Sequence, residues 1–409
     1  MTDPVAAQYE ALPYPQRDPA DEKKRLVTGS PSHLLEIEHF VFGGRRAGAL
    51  RALVAGGGTG DAAIMLAQQL ADRGEGGAVV HLDLSAASQA VARARAEARG
   101  LTNVSFVQAS LLDLPRLGLG RFDYVDCCGV LHHLEDPAAG LAALRDVLTE
   151  DGGMGLMLYG AYGRTGVYPL QGALRRLAPA DAVPDKLTLA RRLLAELPEG
   201  NWFRRNPYLA DHASGDAGLY DLLLHARDRA YTVPEIAALV AGAGLKLAGF
   251  TPGWRYDPAR LLRDPELRGR AARLSPLERA ALAEELAGDA KNHIFYVVRR
   301  PVAADPTAPE AVPSLRETDP AAFAAALRRS RRIKLDLQGR VERIELPEGA
   351  AEVVALIDGR RSLRAIHAAL APRLDWLAFA GLFAGIWAAL HPLNLLLLGG
   401  PGAPSRPQR

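Results

Sequence analysis

The feature that most constrains this chain is a regular alternation of strand-like and helix-like segments between Leu50 and Tyr159, with a glycine run at its first strand-to-helix junction. Leu50 to Ala55, Ala78 to Leu84, Val104 to Gln108, Phe122 to Cys128 and Met154 to Tyr159 read as strands. Asp61 to Ala71, Ala86 to Arg99 and Ala138 to Leu148 read as helices. Strands joined by helical crossovers build a parallel sheet with right-handed connections. The rhythm stops at residue 160. Residues 160–230, rich in Arg, Leu and Pro, read as a helical insertion. Alternation resumes at Thr232, where Glu235 three residues on predicts a capping box, and the helix should stop at Gly242 or Gly244. Leu245 to Phe250 and His293 to Val298 read as strands around a second helical insertion at about 258–290.

The first strand runs into Gly56-Gly57-Gly58-Thr59-Gly60-Asp61 and then directly into a helix. Glycines let the backbone turn sharply and approach a ligand, and a helix start offers unpaired N–H groups to a carboxylate, a ribose edge or a pyrophosphate. Asp83 ends the next strand, about 20 residues on, where an acid can accept hydrogen bonds from both ribose hydroxyls. Gly58 to Ala63 also fits the dinucleotide pattern G-x-G-x-x-A, so these two features alone serve NAD as well as S-adenosylmethionine.

Further along, Phe122-Asp123-Tyr124-Val125 leads through Cys127, Cys128 and Gly129 to Val130-Leu131-His132-His133-Leu134, and Leu148-Thr149-Glu150-Asp151-Gly152-Gly153 precedes another strand. With the glycine loop and Asp83, this order resembles the class I methyltransferase family over about residues 50–160 and more loosely 231–298. No tyrosine has a lysine four residues on, which weighs against a dehydrogenase. The resemblance implies an α/β fold with a Rossmann-like seven-stranded methyltransferase sheet ending in an antiparallel pair, and S-adenosylmethionine as cofactor. It implies cofactor contacts at Gly56, Gly58, Thr59, Gly60 and Asp61, at Asp83 and Leu84, at Ser110 and Leu111, and at Gly129. Two positions depart from the family pattern: Val54 stands where an acid often precedes the first glycine by two residues, and Ser110 stands where an Asp often follows the third strand. The lead-in Tyr9 to Pro15 and the tail also resemble a bacterial subgroup with an appended methyltransferase-regulatory-type domain.

Methyl transfer from a sulfonium is an in-line displacement, so alignment and exclusion of water are the main demands, with proton removal from the acceptor as an option. Ligands of such folds lie over the carboxyl ends of the strands. His132 and His133 are there as base candidates, against the alternative that they pack and cap the next helix. Tyr159 and Tyr162 are expected on the acceptor side, as is His225, which with Tyr220 and Asp221 reads as one helix face. Asn201, Trp202 and Tyr208 are lid candidates, and Tyr9 and Tyr14 can close over the cofactor. The function expected is methyl transfer to a small-molecule or peptide acceptor. A non-catalytic S-adenosylmethionine-binding regulator and an NAD-linked oxidoreductase are the alternatives.

The 409 residues are expected to divide into an N-terminal extension (1–48), a methyltransferase domain (49–300), a linker (301–314) and a C-terminal unit (315–400) that is α+β and winged-helix-like. In that unit, strands at Ile333 to Leu337 and Val341 to Leu346 flank a turn at Gln338-Gly339, with helices near 348–358 and 362–371. Arg360, Arg361 and Arg364 lie at its second helix, but Ala365, Ile366, Ala368, Ala369 and Leu370 beside them are not base readers. A regulatory, protein-binding or dimerising role is expected rather than DNA readout. With 49 basic and 47 acidic residues the net charge is +2, which gives no reason to expect nucleic acid. Basic pairs such as Arg175/Arg176 and Arg204/Arg205 read as solvated helix faces. The two cysteines, Cys127 and Cys128, are adjacent on a strand and point to opposite faces, so they form no metal site, and no metal is expected. Trp376 to Leu398 lacks charge but is interrupted by His391-Pro392 and Asn394. It reads as a buried helix and a core strand rather than a membrane span, and the chain reads as cytoplasmic.

Overall fold

The computed structural model describes residues 4–179, 182–337, 340–371 and 374–399. In chain order the elements begin with α1 (Pro4–Ala11) and α2 (Leu34–Phe40). The alternating core follows as β1 (Arg51–Ala55), α3 (Asp61–Arg73), β2 (Ala78–Asp83), α4 (Ala86–Ala98), β3 (Val104–Gln108), β4 (Phe122–Cys128), α5 (Pro137–Asp146) and β5 (Leu148–Tyr159). The first insertion carries α6 (Val167–Leu177), α7 (Val183–Glu196) and α8 (Asp216–Leu223). Then come α9 (Val233–Gly242), β6 (Lys246–Thr251), α10 (Pro265–Ala271), α11 (Pro276–Ala287) and β7 (Asn292–Val298). The tail adds β8 (Pro313–Leu315), α12 (Pro320–Arg329), β9 (Arg332–Leu337), β10 (Arg340–Glu345), α13 (Ala350–Val354), α14 (Leu363–Leu370), α15 (Trp376–Leu390) and β11 (Leu396–Leu398).

The main sheet has seven strands in the order β3-β2-β1-β4-β5-β7-β6, parallel through β5 and antiparallel at β7 with both of its neighbours. The order reverses between β1 and β4, which leaves a crevice at their carboxyl ends. Val54 lies opposite Asp126 in the β1–β4 register. Apolar side chains fill both faces: Leu53, Val125, Leu144 and Phe295 on one, Val54, Leu66, Tyr124 and Tyr296 on the other. The helices start where their caps dictate. Asp136 accepts from Ala138 and Ala139 amides at 2.9 and 3.0 Å, and Thr232 with Glu235 forms the expected capping box.

Two expectations change. β5 begins at Leu148, not Met154, because Thr149 to Gly152 stay extended beside a register shift opposite Phe122 and Tyr124. Within residues 1–48, Leu34, Ile37 and Val41 are buried in the second core. The apolar helix α15 buries only one face, with Phe379, Phe383, Ile386 and Leu390 inside and Leu377 82% exposed. By length and composition the stretch Trp376–Leu393 could cross a membrane, and 28% of it is buried.

The tail packs α12 to α15 around its own core, and β11 returns to pair with β8. β9 and β10 form an antiparallel hairpin; the expected Gln338-Gly339 turn lies outside the described residues. This unit docks on α2. Glu36, fully buried, accepts from Ser30 Oγ (2.7 Å), Tyr296 Oη (2.5 Å), Arg316 Nη1 (3.0 Å) and Asn394 Nδ2 (2.6 Å). The amide of Leu398 donates to His39 Nδ1 at 3.2 Å.

Candidate active site

A cavity of about 990 Å³ opens at the β1–β4 reversal and runs from the glycine loop to the first insertion. At one end the loop is shaped by contacts that only glycine permits. Gly56 has φ +71°, and a Cβ there would lie 2.4 Å from Val130 Cγ2. Gly58 has φ +51°, and its Cβ would lie 2.7 Å from the Tyr14 carbonyl. Asp83 holds the loop: Oδ2 accepts the Gly58 amide at 2.7 Å and Oδ1 the Ser85 amide at 2.8 Å. Each oxygen keeps a further lone pair for a ligand hydroxyl. His81 supports the loop from below, its Nε2 3.0 Å from the Gly58 carbonyl.

The N-terminal segment lies across this end. Thr59 Oγ1 donates to the Pro15 carbonyl at 2.7 Å, and Arg17 forks onto Asp61 at 2.9 and 2.6 Å. Arg95, 1% exposed, binds the same Asp61 carboxylate and Glu22. Burial pushes the Asp61 carboxyl up, but Arg17 and Arg95 outweigh it and hold the group below the usual range. Val27, Thr28, Gly29, Ser30 and Ser32 form a further wall.

The other end is polar. Asp221 is buried and accepts from Tyr9 Oη at 3.2 Å and Tyr159 Oη at 3.0 Å. Burial raises its pKa; the nearby His133 and the two phenols counter this only in part. His133 Nδ1 sits 2.8 Å from the Arg227 carbonyl, which can only accept, so the neutral ring carries its proton on Nδ1 and offers the Nε2 lone pair. His225 stacks on His133 at 3.7 Å with the opposite tautomer, because its Nδ1 accepts the Arg227 amide at 3.0 Å. Arg164 lies 3.7 Å over the Tyr159 ring and pairs with buried Asp228 at 2.7 Å. The ligand atoms of His133, Asp221 and His225 lie within 4.8 Å of one another, a spacing compatible with a cation. The His225 proton on Nε2 and the two phenols on Asp221 use those atoms instead, so the set suits a proton network better than a metal.

A family model described as "Methyltransferase domain" matches residues 53–154. An uncharacterized protein of Synechococcus is 30% identical over 309 residues, 74% of this chain and 73% of the relative. The chain belongs to the class I S-adenosylmethionine-dependent methyltransferases. The Escherichia coli tRNA 5-carboxymethoxyuridine methyltransferase is 35% identical over 115 residues, 28% of this chain and 42% of that one. The structure of PKMT2 from Rickettsia typhi in complex with AdoHcy has the same fold, with a TM-score of 0.58 and 14% identity over 87% of this chain and 72% of that one. These matches favour a methyltransferase over an NAD-linked oxidoreductase.

In this methyltransferase Gly56, Gly58, Asp61, Asp83, Leu84, Ser110, Leu111 and Gly129 line the cavity. Thr59 and Gly60 do not: Thr59 is fully buried against Pro15, and a Cβ on Gly60 would meet Ala92 of α4 at 2.9 Å. Of the two base candidates only His133 reaches the cavity. His132 is 1% exposed beneath Tyr159, stacked at 3.8 Å, and burial holds its pKa well below the usual value. Tyr159 lines the cavity, whereas Tyr162 faces outward, 37% exposed. His225 follows α8 rather than sharing its face, and lies behind Tyr9 and His133; Tyr220 packs into the insertion's core. Trp202 and Tyr208 are exposed and away from the cavity wall, so they form no lid in this structure. Tyr9 and Tyr14 line the cavity. Sequence reading missed Arg164, Arg227 and Asp126, since nothing in their spacing separates them from ordinary core or surface positions.

Proposed function

We propose that the chain transfers a methyl group from S-adenosylmethionine to a small-molecule or peptide acceptor that enters from the first-insertion side, with His133 taking the acceptor's proton. The observation that carries this is continuity: one cavity joins Gly58 and Asp83 to His133, Asp221 and Tyr159. When bound, the cofactor supplies an activated methyl on a positive sulfur. The chain's own residues do the rest. The glycine-loop amides and the start of α3 suit the cofactor's carboxylate. Asp83 suits the ribose hydroxyls, and Leu84, Ser110 and Leu111 flank the adenine.

At the far end His133 lines the cavity, and Nε2 is the ring atom left to accept, the ring being fixed by the Arg227 carbonyl and the His225 stack. It accepts a proton from a hydroxyl, carboxyl or amine as the nucleophile attacks. Asp221, holding Tyr9 and Tyr159, orients the two phenols that shape this end. Arg164 and Tyr159 close it and keep water out. The relatives' acceptors are not carried over, because the likeness to the tRNA enzyme covers only 28% of this chain. The tail domain is proposed as a regulatory or partner-binding unit.

The test is methyl transfer from labelled S-adenosylmethionine into fractionated small molecules and peptides, with wild type beside His133→Ala and His132→Phe. Label in one fraction, lost in His133→Ala and kept in His132→Phe, supports the assignment. Equal transfer by wild type and His133→Ala would sink the role of His133.

A further inference from the structure

Most carboxylates around the cavity are spoken for. Asp61 is bound by Arg17 and Arg95, Asp83 by two backbone amides, and Asp221 by two phenols. Asp126 is different. It is fully buried on β4 and lines the cavity, and Ser32 Oγ donates to its Oδ2 at 2.7 Å. Among the described residues its Oδ1 has no hydrogen-bond partner. A buried carboxylate oxygen left bare is costly, and a protein keeps one where a ligand completes it.

The position of Asp126 says which ligand. Its Cα is opposite that of Val54, two residues before Gly56, so the carboxylate sits beside the glycine loop, on the α3 side of the sheet. Met65 of α3, Met157 of β5 and Ser32 line the same cavity, and Ser32 touches Asp126 directly. The titratable groups that interact with it are Glu36 from α2, Tyr124, Cys127 and Cys128 on its own strand, and Tyr296 from β7. All are acids or neutral, and among these neighbours there is no cation. This corner therefore holds an anionic group with no positive partner, next to amides that attract a carboxylate. An α-amino acid end, with its ammonium and carboxylate two bonds apart, fits both.

We propose that Asp126, held by Ser32, receives the α-ammonium of the cofactor's methionine end, in place of the acid that Val54 lacks on the neighbouring strand. The inference rests on the cofactor assignment above and adds a residue to it. Burial raises the Asp126 carboxyl to about 7, Glu36 pushes it the same way, and the Ser32 hydrogen bond opposes them. An arriving ammonium favours the ionised form, so binding strengthens as pH rises through neutrality and releases a proton.

The experiment is calorimetric titration of wild type and Asp126→Asn with S-adenosylhomocysteine, S-adenosylmethionine and 5′-methylthioadenosine, the last lacking the amino-acid end. Asn keeps the shape and an acceptor for Ser32 but not the charge. The expected result is at least a ~10-fold loss of affinity for the first two ligands, from one lost charge-assisted hydrogen bond, and an unchanged affinity for methylthioadenosine. The wild-type proton release on binding S-adenosylhomocysteine at pH 7 should disappear in the variant. Unchanged affinity for S-adenosylhomocysteine overturns the proposal, as does an equal loss for all three ligands, which would mark a structural role. A loss confined to S-adenosylmethionine would assign Asp126 to the sulfonium and overturn it too. A wild-type protein that bound none of the three would overturn the cofactor reading itself, and this inference with it.

Discussion

Asp83 gives the sharpest test of how the glycine loop works, because it has two tasks that fail together. In the structure its two oxygens accept the amides of Gly58 and Ser85 at 2.7 and 2.8 Å, and its outer lone pairs face the cavity. In Asp83→Ala both amides lose their acceptor, which costs ~1–3 kcal/mol for each one that water does not reach. The two ribose hydroxyls lose charge-assisted bonds worth ~1.5–3 kcal/mol each, so binding should weaken by at least ~3 kcal/mol, on the order of a hundredfold. Asp83→Asn is intermediate, since one amide oxygen replaces two carboxylate oxygens and the NH₂ has nothing to donate to at a backbone amide. The assay is titration with S-adenosylhomocysteine below the melting point of each variant, alongside a denaturation curve. Wild-type affinity in Asp83→Ala would refute the ribose assignment. A variant that melts early yet binds normally would reduce Asp83 to a brace for the loop.

Three further outcomes follow from the geometry. Gly58→Ala should weaken cofactor binding and destabilise by about 1–3 kcal/mol, because its backbone is left-handed and its Cβ would meet the Tyr14 carbonyl; an unchanged melting curve with full binding would contradict the described loop. Arg95→Met should cost about 1–3 kcal/mol in urea unfolding, since Glu22 and Asp61 lose a buried partner while Glu22 keeps Arg99 and Asp61 keeps Arg17, and an unchanged unfolding curve would contradict the described ion-pair cluster. His39 is buried against the tail, and burial holds its pKa down to about 3. Its unfolded form takes up a proton below about 6.5 and its folded form does not, so its share of stability is present at pH 7 and declines as pH falls toward 3. Asp126 contributes with the opposite sign, so the difference between wild type and His39→Gln isolates the term: it should shift against wild type by ~2 kcal/mol from pH 7 to pH 5, measured by denaturant unfolding.

The sheet was legible because its signals are local. Apolar strands, crossover helices and a glycine at each forced turn are short-range features, and β1 to β4 came out within a residue or two. The cofactor end was legible for the same reason, since Gly56 to Asp61 and Asp83 occupy fixed places on consecutive elements. What failed was long-range. Thr59 looked like a ligand contact, but its hydroxyl is taken by Pro15, 44 residues away. His132 and His133 are neighbours in sequence, yet one is sealed under Tyr159 and the other faces the cavity, a split set by where the first insertion packs. Tyr162 read like Tyr159 but falls past the end of β5, where the chain turns outward. α15 looked fully buried because composition cannot show how many neighbours a helix will find.

Glu36 also sets an order of assembly. Two of its four donors, Arg316 and Asn394, belong to the last quarter of the chain, while Glu36 itself stands near the start. During synthesis this carboxylate waits for nearly the whole chain before its partners emerge, and it cannot be buried cheaply until they do. Ser32, four residues earlier, belongs both to this junction's helix entry and to the cavity wall that holds Asp126. Ser30, which donates to Glu36, also lines the cavity, so a product truncated before residue 394 would carry every glycine-loop residue and lack two of the donors that hold the carboxylate behind that wall.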